Sequence, residues 1–298
     1  MKQRLTTVDV YCIVCDLQKI VSSRITNVYD GNDSKIYFLK IGSGQNKKML
    51  YLESGIRVNE TELEFKVFRD FPSSFASKMR KHLKNKRIVS IKQIGYDRII
   101  QLQIGEGEFK NYLIIELHSS GNILLTDNEY KILSQLRHHI YDETNTKKYP
   151  IEKFSSQNKD SIYGNLKKIL ERDSTHEECD DILDNISKNP AAIIIKKNNK
   201  YIDFRSHLFH SSELGDIIMF NNYNLAIDSY FNMNSKSKTE HKVTEKEKKN
   251  KKKINKEDRK ENHMKNQASN LLKKSNKLED KATIIENNYV VIQNLIDY

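Results

Sequence analysis

The chain has 298 residues, enough for two domains, and carries 51 Lys and Arg against 40 Asp and Glu, a net charge of +11. This balance favours polyanionic partners such as nucleic acid. No apolar run approaches the roughly 18 residues that cross a bilayer, no signal-peptide core follows the first residues, and three cysteines argue against a disulfide framework. These features exclude membrane and disulfide-rich secreted classes, so we expect a cytoplasmic protein without a membrane partner.

The first half of the chain predicts an α+β domain over residues 1–155. Apolar residues three and four apart predict a helix over 9–21, with Thr6 or Thr7 as N-cap. Residues 27–33 contain turn formers, 35–41 and 48–52 predict a β-hairpin, and 73–85 predicts a basic helix. Five strand-like runs, at 88–94, 98–104, 112–117, 122–126 and 130–136, then predict an antiparallel meander.

The second half predicts two further segments. Residues 156–233 suggest a small, mostly helical module, with short helices near 166–170, 179–186 and 225–231 and a strand-like stretch at 193–204. Residues 234–298 predict a basic segment and the first arm of a coiled coil, because they contain a heptad pattern: Ala268, Leu271, Ser275, Leu278, Ala282, Ile285, Tyr289, Ile292 and Ile296. A stripe this narrow needs a partner helix, so we expect either a longer protein or a dimer.

Positive charge is concentrated in two places. Residues 236–265 hold 13 basic and 6 acidic residues, a pattern that fits either a solvated charged helix or a surface for RNA phosphates. The basic helix and the residues after it supply a second cationic surface suited to an RNA backbone, made of Arg80, Lys81, Lys84, Lys86 and Arg87.

Patterns of catalytic, metal and cofactor sites give no support for an enzyme. Cys12 and Cys15 have the spacing of a zinc or redox pair, but no second pair exists and both lie inside the first predicted helix, so we interpret them as structural. The histidines form no ligand array. The Gly42-Ser43-Gly44 stretch lacks the lysine of a phosphate-binding loop, and no Gly-x-Ser-x-Gly elbow is present. We therefore expect no metal, no cofactor and no catalytic residue.

Asp97 and Arg98 follow Gly95 at the start of a predicted strand. An acid beside a guanidinium can offer base edges both an acceptor and a bidentate donor. Taken alone, a surface ion pair between the two side chains is the commoner explanation. The surrounding sequence decides in favour of a nucleic-acid site.

Seven ordered blocks carry a family resemblance, at residues 9–10, 23–30, 35–40, 53–57, 79–87, 93–98 and 116–127. Together they resemble the N-terminal domain of the NFACT family of ribosome-associated quality-control factors. The resemblance implies a domain similar in fold to the N-terminal domain of formamidopyrimidine-type DNA glycosylases. In the family, a helix-hairpin-helix module and a coiled coil follow. Residues 161–186 lack a clear glycine-containing hairpin, so we expect a degenerate module here.

The resemblance also implies a function. Family members bind large ribosomal subunits that hold a stalled peptidyl-tRNA and bring in aminoacyl-tRNA, chiefly alanyl-tRNA, for template-free extension of the nascent chain. Eukaryotic members help the ubiquitin ligase Listerin to engage the subunit. The family's tRNA-engaging residues fall on Asp9, Asp97 and Arg98 of this sequence.

Three alternatives remain. A DNA glycosylase of this fold needs an N-terminal proline nucleophile, whereas this chain begins Met1-Lys2-Gln3. A reduced or truncated protein would bind RNA nonspecifically through residues 236–265, because the family's returning coiled-coil arm, middle domain and C-terminal domain are absent from this sequence. A surface adhesin is the third, since bacterial relatives were described as fibronectin-binding.

Overall fold

The computed structural model describes residues 2–43, 46–61, 71–143, 147–155, 159–170, 173–188, 192–198, 200–206, 216–246, 256–289 and 293, without side chains for 43, 46 and 235–264. The chain falls into two compact units, Met1–Lys238 and Thr239–Tyr298. None of the helices in these residues combines the length and apolar character of a membrane span.

The first helix, α1 (Thr7–Leu17), is continued by a 3-10 turn, Gln18–Ile20. Its start confirms the capping prediction, because the Thr6 side chain accepts a hydrogen bond from the Asp9 amide. Nine of the eleven residues of α1 are buried, which is more than the single apolar face that the sequence predicts. The helix therefore runs through the core instead of lying on its surface.

A four-stranded antiparallel sheet follows, with strands in chain order: β1 (Ile25–Asp30), β2 (Ile36–Ser43), β3 (Asn46–Glu53) and β4 (Arg57–Thr61). The pairing of β2 with β3 confirms the predicted hairpin. The turn prediction was wrong for residues 27–30, which pair with β2 instead. Strand β4 was not predicted.

The second sheet has five antiparallel strands, again in chain order: β5 (Ile88–Gln93), β6 (Ile99–Ile104), β7 (Asn111–Glu116), β8 (Asn122–Thr126) and β9 (Ile132–Gln135). It confirms the predicted meander. The basic helix α2 (Ser74–Leu83) precedes it and buries Phe75, Met79 and Leu83. The face opposite these three side chains carries the cations.

The two sheets meet at a pair of glycines. The Gly55 amide, in the turn between β3 and β4, donates a hydrogen bond of 3.2 Å to the Glu116 carbonyl. A Cβ atom added to Gly121, whose φ is +68°, would lie 2.0 Å from the Gly55 nitrogen. Only glycine fits at so close an approach of two backbones.

The next segment contains the helices α3 (Ile151–Ser155), α4 (Asp160–Leu170) and α5 (His176–Lys188), the strands β10 (Ala192–Lys197), β11 (Lys200–Arg205) and β12 (Asp216–Phe220), and helix α6 (Tyr223–Lys246). The predicted strand-like stretch at 193–204 contains two strands, β10 and β11, and with β12 they form a three-stranded sheet in the order β11, β10, β12. Leu166, Leu183 and Ile194 belong to the same apolar core as α1. The boundary placed at residue 155 stays a prediction.

The second unit contains helix α7 (Lys256–Asn287). The apolar heptad residues Leu271, Leu278 and Ile285 are exposed on it. Two further heptad positions, Ile292 and Ile296, lie outside the described residues. Pairing of this stripe with another helix stays a prediction.

Candidate nucleic-acid interface

Asp97 and Arg98 lie on the turn between β5 and β6. The Asp97 amide donates a hydrogen bond of 3.0 Å to the Ile94 carbonyl, and the two residues between them, Gly95 and Tyr96, have φ of 57° and 52°. Two positive φ angles in succession are typical of the two-residue type I′ turn that suits the twist of a hairpin. Gly95 adopts this conformation without strain, whereas Tyr96 incurs a cost of about 1 kcal/mol.

Tyr96 is held in its strained conformation by packing. Its half-buried ring contacts the main apolar core, and the ammonium of Lys159, the residue before α4, lies 5.8 Å from the centre of the ring. Lys159 also forms an ion pair of 2.8 Å with Asp180 of α5. The turn is thus supported by helices from the second half of the chain.

Gln93 connects the turn to the first helix. Its side-chain amide donates to the carbonyl of Asp97, at 2.9 Å, and to the carbonyl of Thr7, at 3.0 Å. The Asp97–Arg98 backbone is fixed on its other side by β7, since the Leu117 amide donates to the Arg98 carbonyl at 2.8 Å. Gln93 lies in one of the blocks that carry the resemblance, but no property of the sequence shows that it bridges these two carbonyls.

The side chains of Asp97 and Arg98 differ in their hydrogen bonds within the protein. One carboxylate oxygen of Asp97 accepts a hydrogen bond of 2.6 Å from the Arg98 amide. The Arg98 guanidinium is half-buried and makes no hydrogen bond or ion pair within the part of the chain that the structure describes. The ion pair that the two residues alone favour is therefore not formed here, and five guanidinium donors remain for a ligand.

Asp9 is only 2% exposed, and its carboxylate is fully occupied. One oxygen accepts hydrogen bonds from the backbone amide and hydroxyl of Thr6, at 2.6 and 2.8 Å. The other accepts from the Lys2 ammonium, at 2.9 Å, and from the buried Tyr223 hydroxyl, at 2.5 Å. In this structure Asp9 stabilises the start of α1, and its contact with tRNA stays a prediction.

Tyr223 is the partner of Asp9 that the sequence did not reveal. Burial and the negative charge of Asp9 raise the pKa of its hydroxyl well above the ordinary value, so it remains a hydrogen-bond donor. The two residues are 214 positions apart. No local pattern signals such a pair.

Three of the five cations proposed to contact an RNA backbone donate hydrogen bonds within the protein. The Arg80 Nε donates to the Val28 carbonyl at 2.6 Å, and the Lys86 ammonium donates to the Asn111 side chain at 2.7 Å. Burial lowers the pKa of Lys86. Arg87 is exposed but donates to the Ser22 carbonyl at 3.2 Å.

The remaining two cations, Lys81 and Lys84, are exposed, and their side chains make no hydrogen bond or ion pair among the described residues. Burial, followed by the positive charges of Lys86 and Lys81, lowers the pKa of His82 between them. The helix surface is therefore positive near Lys81 and Lys84. Apart from Lys265, the side chains of the run at 236–265 lie outside the described residues.

Cys12 and Cys15 are free thiols on α1. Burial raises the pKa of Cys12 well above its usual value and that of Cys15 to about 11, which keeps both thiols protonated and unreactive. In the described residues, no group of three or more His, Cys, Asp or Glu side chains is arranged to hold a metal ion.

Comparison with known structures defines the fold class. The chain is similar to the N-terminal part of the fibronectin/fibrinogen-binding protein from Streptococcus suis, with a TM-score of 0.55 over 76% of this chain and 98% of that one. The sequence identity is 16%, so the likeness shows a shared fold alone. The protein is therefore of a mixed α+β class, in agreement with the class that the sequence predicts.

The family follows from the sequence itself. Residues 6–153 match the family model described as "NFACT N-terminal and middle domains". Residues 6–153 therefore carry an NFACT N-terminal domain.

Two curated relatives are named for a role in ribosome quality control. The chain is 44% identical over 158 residues to "Ribosome quality control complex subunit NEMF" of Mus musculus, an alignment that covers 51% of this chain and 15% of the relative. It is 37% identical over 199 residues to the NEMF homolog of Drosophila melanogaster, covering 65% of this chain and 20% of the relative. The chain thus spans about a fifth or less of the length of these relatives.

Proposed function

We propose that this chain is the N-terminal part of a ribosome-associated quality-control factor that acts on cytoplasmic large ribosomal subunits carrying a stalled peptidyl-tRNA. It recruits aminoacyl-tRNA, chiefly alanyl-tRNA, for template-free extension of the nascent chain. The names of the curated relatives support the quality-control role. Assistance to the ubiquitin ligase Listerin belongs to the same proposal for a eukaryotic protein.

The observation that carries the proposal is the Arg98 guanidinium. It lies on a turn that is fixed by Gln93 and Leu117, and its donors are not used by any described residue. An arginine held in this way can donate two parallel hydrogen bonds to the edge of an unpaired base, and Asp97 has a second carboxylate oxygen that can accept from one. Such contacts position a tRNA without making or breaking a covalent bond, so the proposed role is not enzymatic.

Lys81 and Lys84 complete the proposed interface. Exposed lysines contribute affinity for phosphates that depends strongly on salt and carries no sequence information. Base contacts by Asp97 and Arg98 supply the selectivity for particular tRNAs. The two sets of residues therefore predict different behaviour when they are changed.

The test measures binding of purified tRNA species and of large ribosomal subunits to the chain and to two variants. We expect Arg98→Ala to weaken binding of the preferred tRNA about tenfold or more, because a bidentate base contact is lost. Lys168→Ala removes one exposed cation elsewhere and serves as the control with unchanged affinity. Co-sedimentation and sequencing of bound tRNA identify the preferred species.

Two results would contradict the proposal. The first is equal enrichment of all tRNAs with no effect of Arg98→Ala. The second is loss of all RNA binding only when residues 236–265 are deleted, which is the behaviour of a nonspecific RNA-binding protein. Fibronectin binding is not proposed, because the similarity to the streptococcal protein is one of fold alone.

A further inference from the structure

An open cleft of about 720 Å³ lies away from the Asp97–Arg98 turn. Its wall is built from six parts of the first unit: the N-terminal segment, the loop between β1 and β2, the turn between β3 and β4 with its flanking residues, the turn between β7 and β8, the segment after β9, and helix α6. We call it the N-terminal cleft and define it by Lys2, Gln3, Arg4, Lys35, Tyr51, Glu53, Ser54, Gly55, Ile56, Arg57, Ser119, Ser120, Arg137, Tyr230, Phe231 and Asn234.

Positive charge dominates the N-terminal cleft, since five Lys and Arg residues line it with a single carboxylate, Glu53. Two of the five cations are neutralised by the protein: Lys2 pairs with Asp9, and Arg57 pairs with Glu53 at 3.3 Å. The other three, Arg4, Lys35 and Arg137, are exposed and have no ion pair in the described part of the chain. Their charge is therefore available to an anion in the cleft.

The deeper part of the cleft holds polar groups without a partner. Arg57 is 6% exposed, and its guanidinium carbon lies 4.0 Å from the centre of the Tyr51 ring and 4.7 Å from that of Phe231. Its Nη1 atom makes no hydrogen bond within the described residues, although an Asp228 oxygen lies 3.6 Å away. The hydroxyl of Ser54, which is 3% exposed, is also without a hydrogen-bond partner there.

The three exposed cations favour a ligand that supplies hydrogen-bond acceptors. The Ser54 hydroxyl and the Arg57 Nη1 atom have almost no exposed surface, so the direct contacts of such a ligand are those of the exposed side chains. The exposed hydroxyls of Ser119 and Ser120 add further donors at the rim. Arginine, lysine and serine together are the side chains that bind phosphate oxygens in proteins.

The size of the cleft restricts the choice of ligand further. A volume of about 720 Å³ lies within the range of sites for small organic ligands and exceeds what a lone inorganic anion fills. The aromatic side chains Tyr51, Tyr230 and Phe231 line the same space. A phosphate attached to a nucleoside matches both the charge and the volume.

We propose that the N-terminal cleft binds the phosphate group of a nucleotide, either a free mononucleotide or a nucleotide of an RNA strand. The site shares no residue with the Asp97–Arg98 turn or with Lys81 and Lys84. It therefore stands independently of the tRNA role proposed above. Arg4, Lys35 and Arg137 attract the phosphate at the rim, and Ser54 and Arg57 line the deeper part.

The test uses calorimetric titration of the chain with three probes: adenosine monophosphate, adenosine, and an eight-nucleotide single-stranded RNA. The test variant combines Arg4→Gln with Lys35→Gln, because both side chains are exposed and have no partner among the described residues. The control combines Lys168→Gln with Lys197→Gln, which removes the same charge from exposed positions elsewhere. Thermal unfolding of each variant establishes that it is folded.

We expect the test variant to bind about tenfold more weakly than the control, the effect of losing two exposed ionic contacts. Preference for the monophosphate over adenosine supports a free nucleotide as ligand, whereas binding of the RNA alone supports a strand. Equal affinity of the test and control variants for every probe would overturn the proposal, as would binding of adenosine as tight as that of its monophosphate.

Discussion

Asp9→Ala tests whether the buried carboxylate stabilises the fold. The change removes four accepted hydrogen bonds, from the Lys2 ammonium, the Thr6 amide and hydroxyl, and the Tyr223 hydroxyl. Loss of an N-terminal capping interaction costs about 1 kcal/mol, and a buried charge or hydroxyl left without its partner costs about 3 kcal/mol more. We therefore expect the free energy of unfolding to fall by about 4 kcal/mol.

The measurement is urea unfolding followed by circular dichroism, in the absence of RNA. Asp181→Ala, at an exposed position of α5, is the matched control and should change the free energy of unfolding by less than about 0.5 kcal/mol. Asp9→Asn should be intermediate, because its amide keeps one acceptor and turns a donor toward other donors. A loss below about 1 kcal/mol in Asp9→Ala would refute the structural role and favour a direct contact with tRNA.

Two further predictions concern the contact between the sheets and the pH dependence of stability. Gly121→Ala should lower the free energy of unfolding by about 3 kcal/mol or more, because the added Cβ atom would meet the Gly55 backbone. The control Gly107→Ala should lower it by only about 1 kcal/mol, because Gly107 also has a positive φ, of +62°, but no atom lies within 4 Å of its added Cβ. Equal losses of the two variants in urea unfolding would contradict this. Burial raises the pKa of the Glu116 carboxyl above its ordinary value, so the folded protein favours the protonated form of this side chain. Its contribution to the free energy of unfolding is therefore complete below the unfolded-state pKa near 4.5 and is lost as the pH rises through the higher folded-state pKa. Glu116→Gln should remove that loss in unfolding curves measured from about pH 4 to 7, and an unchanged pH dependence would count against it.

Hydrophobic periodicity in the sequence predicted most helices and strands of the first domain, but it failed where the buried side chains are polar. In β4, Asn59 and Thr61 are buried and donate hydrogen bonds to Asp228, at 3.2 and 2.8 Å. Their acceptor lies more than 160 positions later in the chain. A strand whose buried polar side chains donate to so distant a partner has no hydrophobic alternation to reveal it.

In the candidate site, too, the sequence predicted some features and missed others. The sequence placed Asp97 and Arg98 after Gly95 at the start of a strand, which is close to their position in the turn just before β6 begins at Ile99. The burial of Asp9 does not, because it depends on Tyr223 in α6 and on Lys2. Sequence patterns describe neighbours along the chain, whereas the burial of a charged residue is decided by partners brought to it by the fold.

The hydrogen bond between Leu117 and Arg98 places the two proposed ligand surfaces on one piece of backbone. Leu117 is bonded to the Arg98 carbonyl, and Ser119 and Ser120, only two and three residues later, form part of the N-terminal cleft. The segment after β7 thus contributes to both surfaces: a displacement of the Ser119–Ser120 turn that reached Leu117 would also move the hydrogen bond that holds the Arg98 backbone.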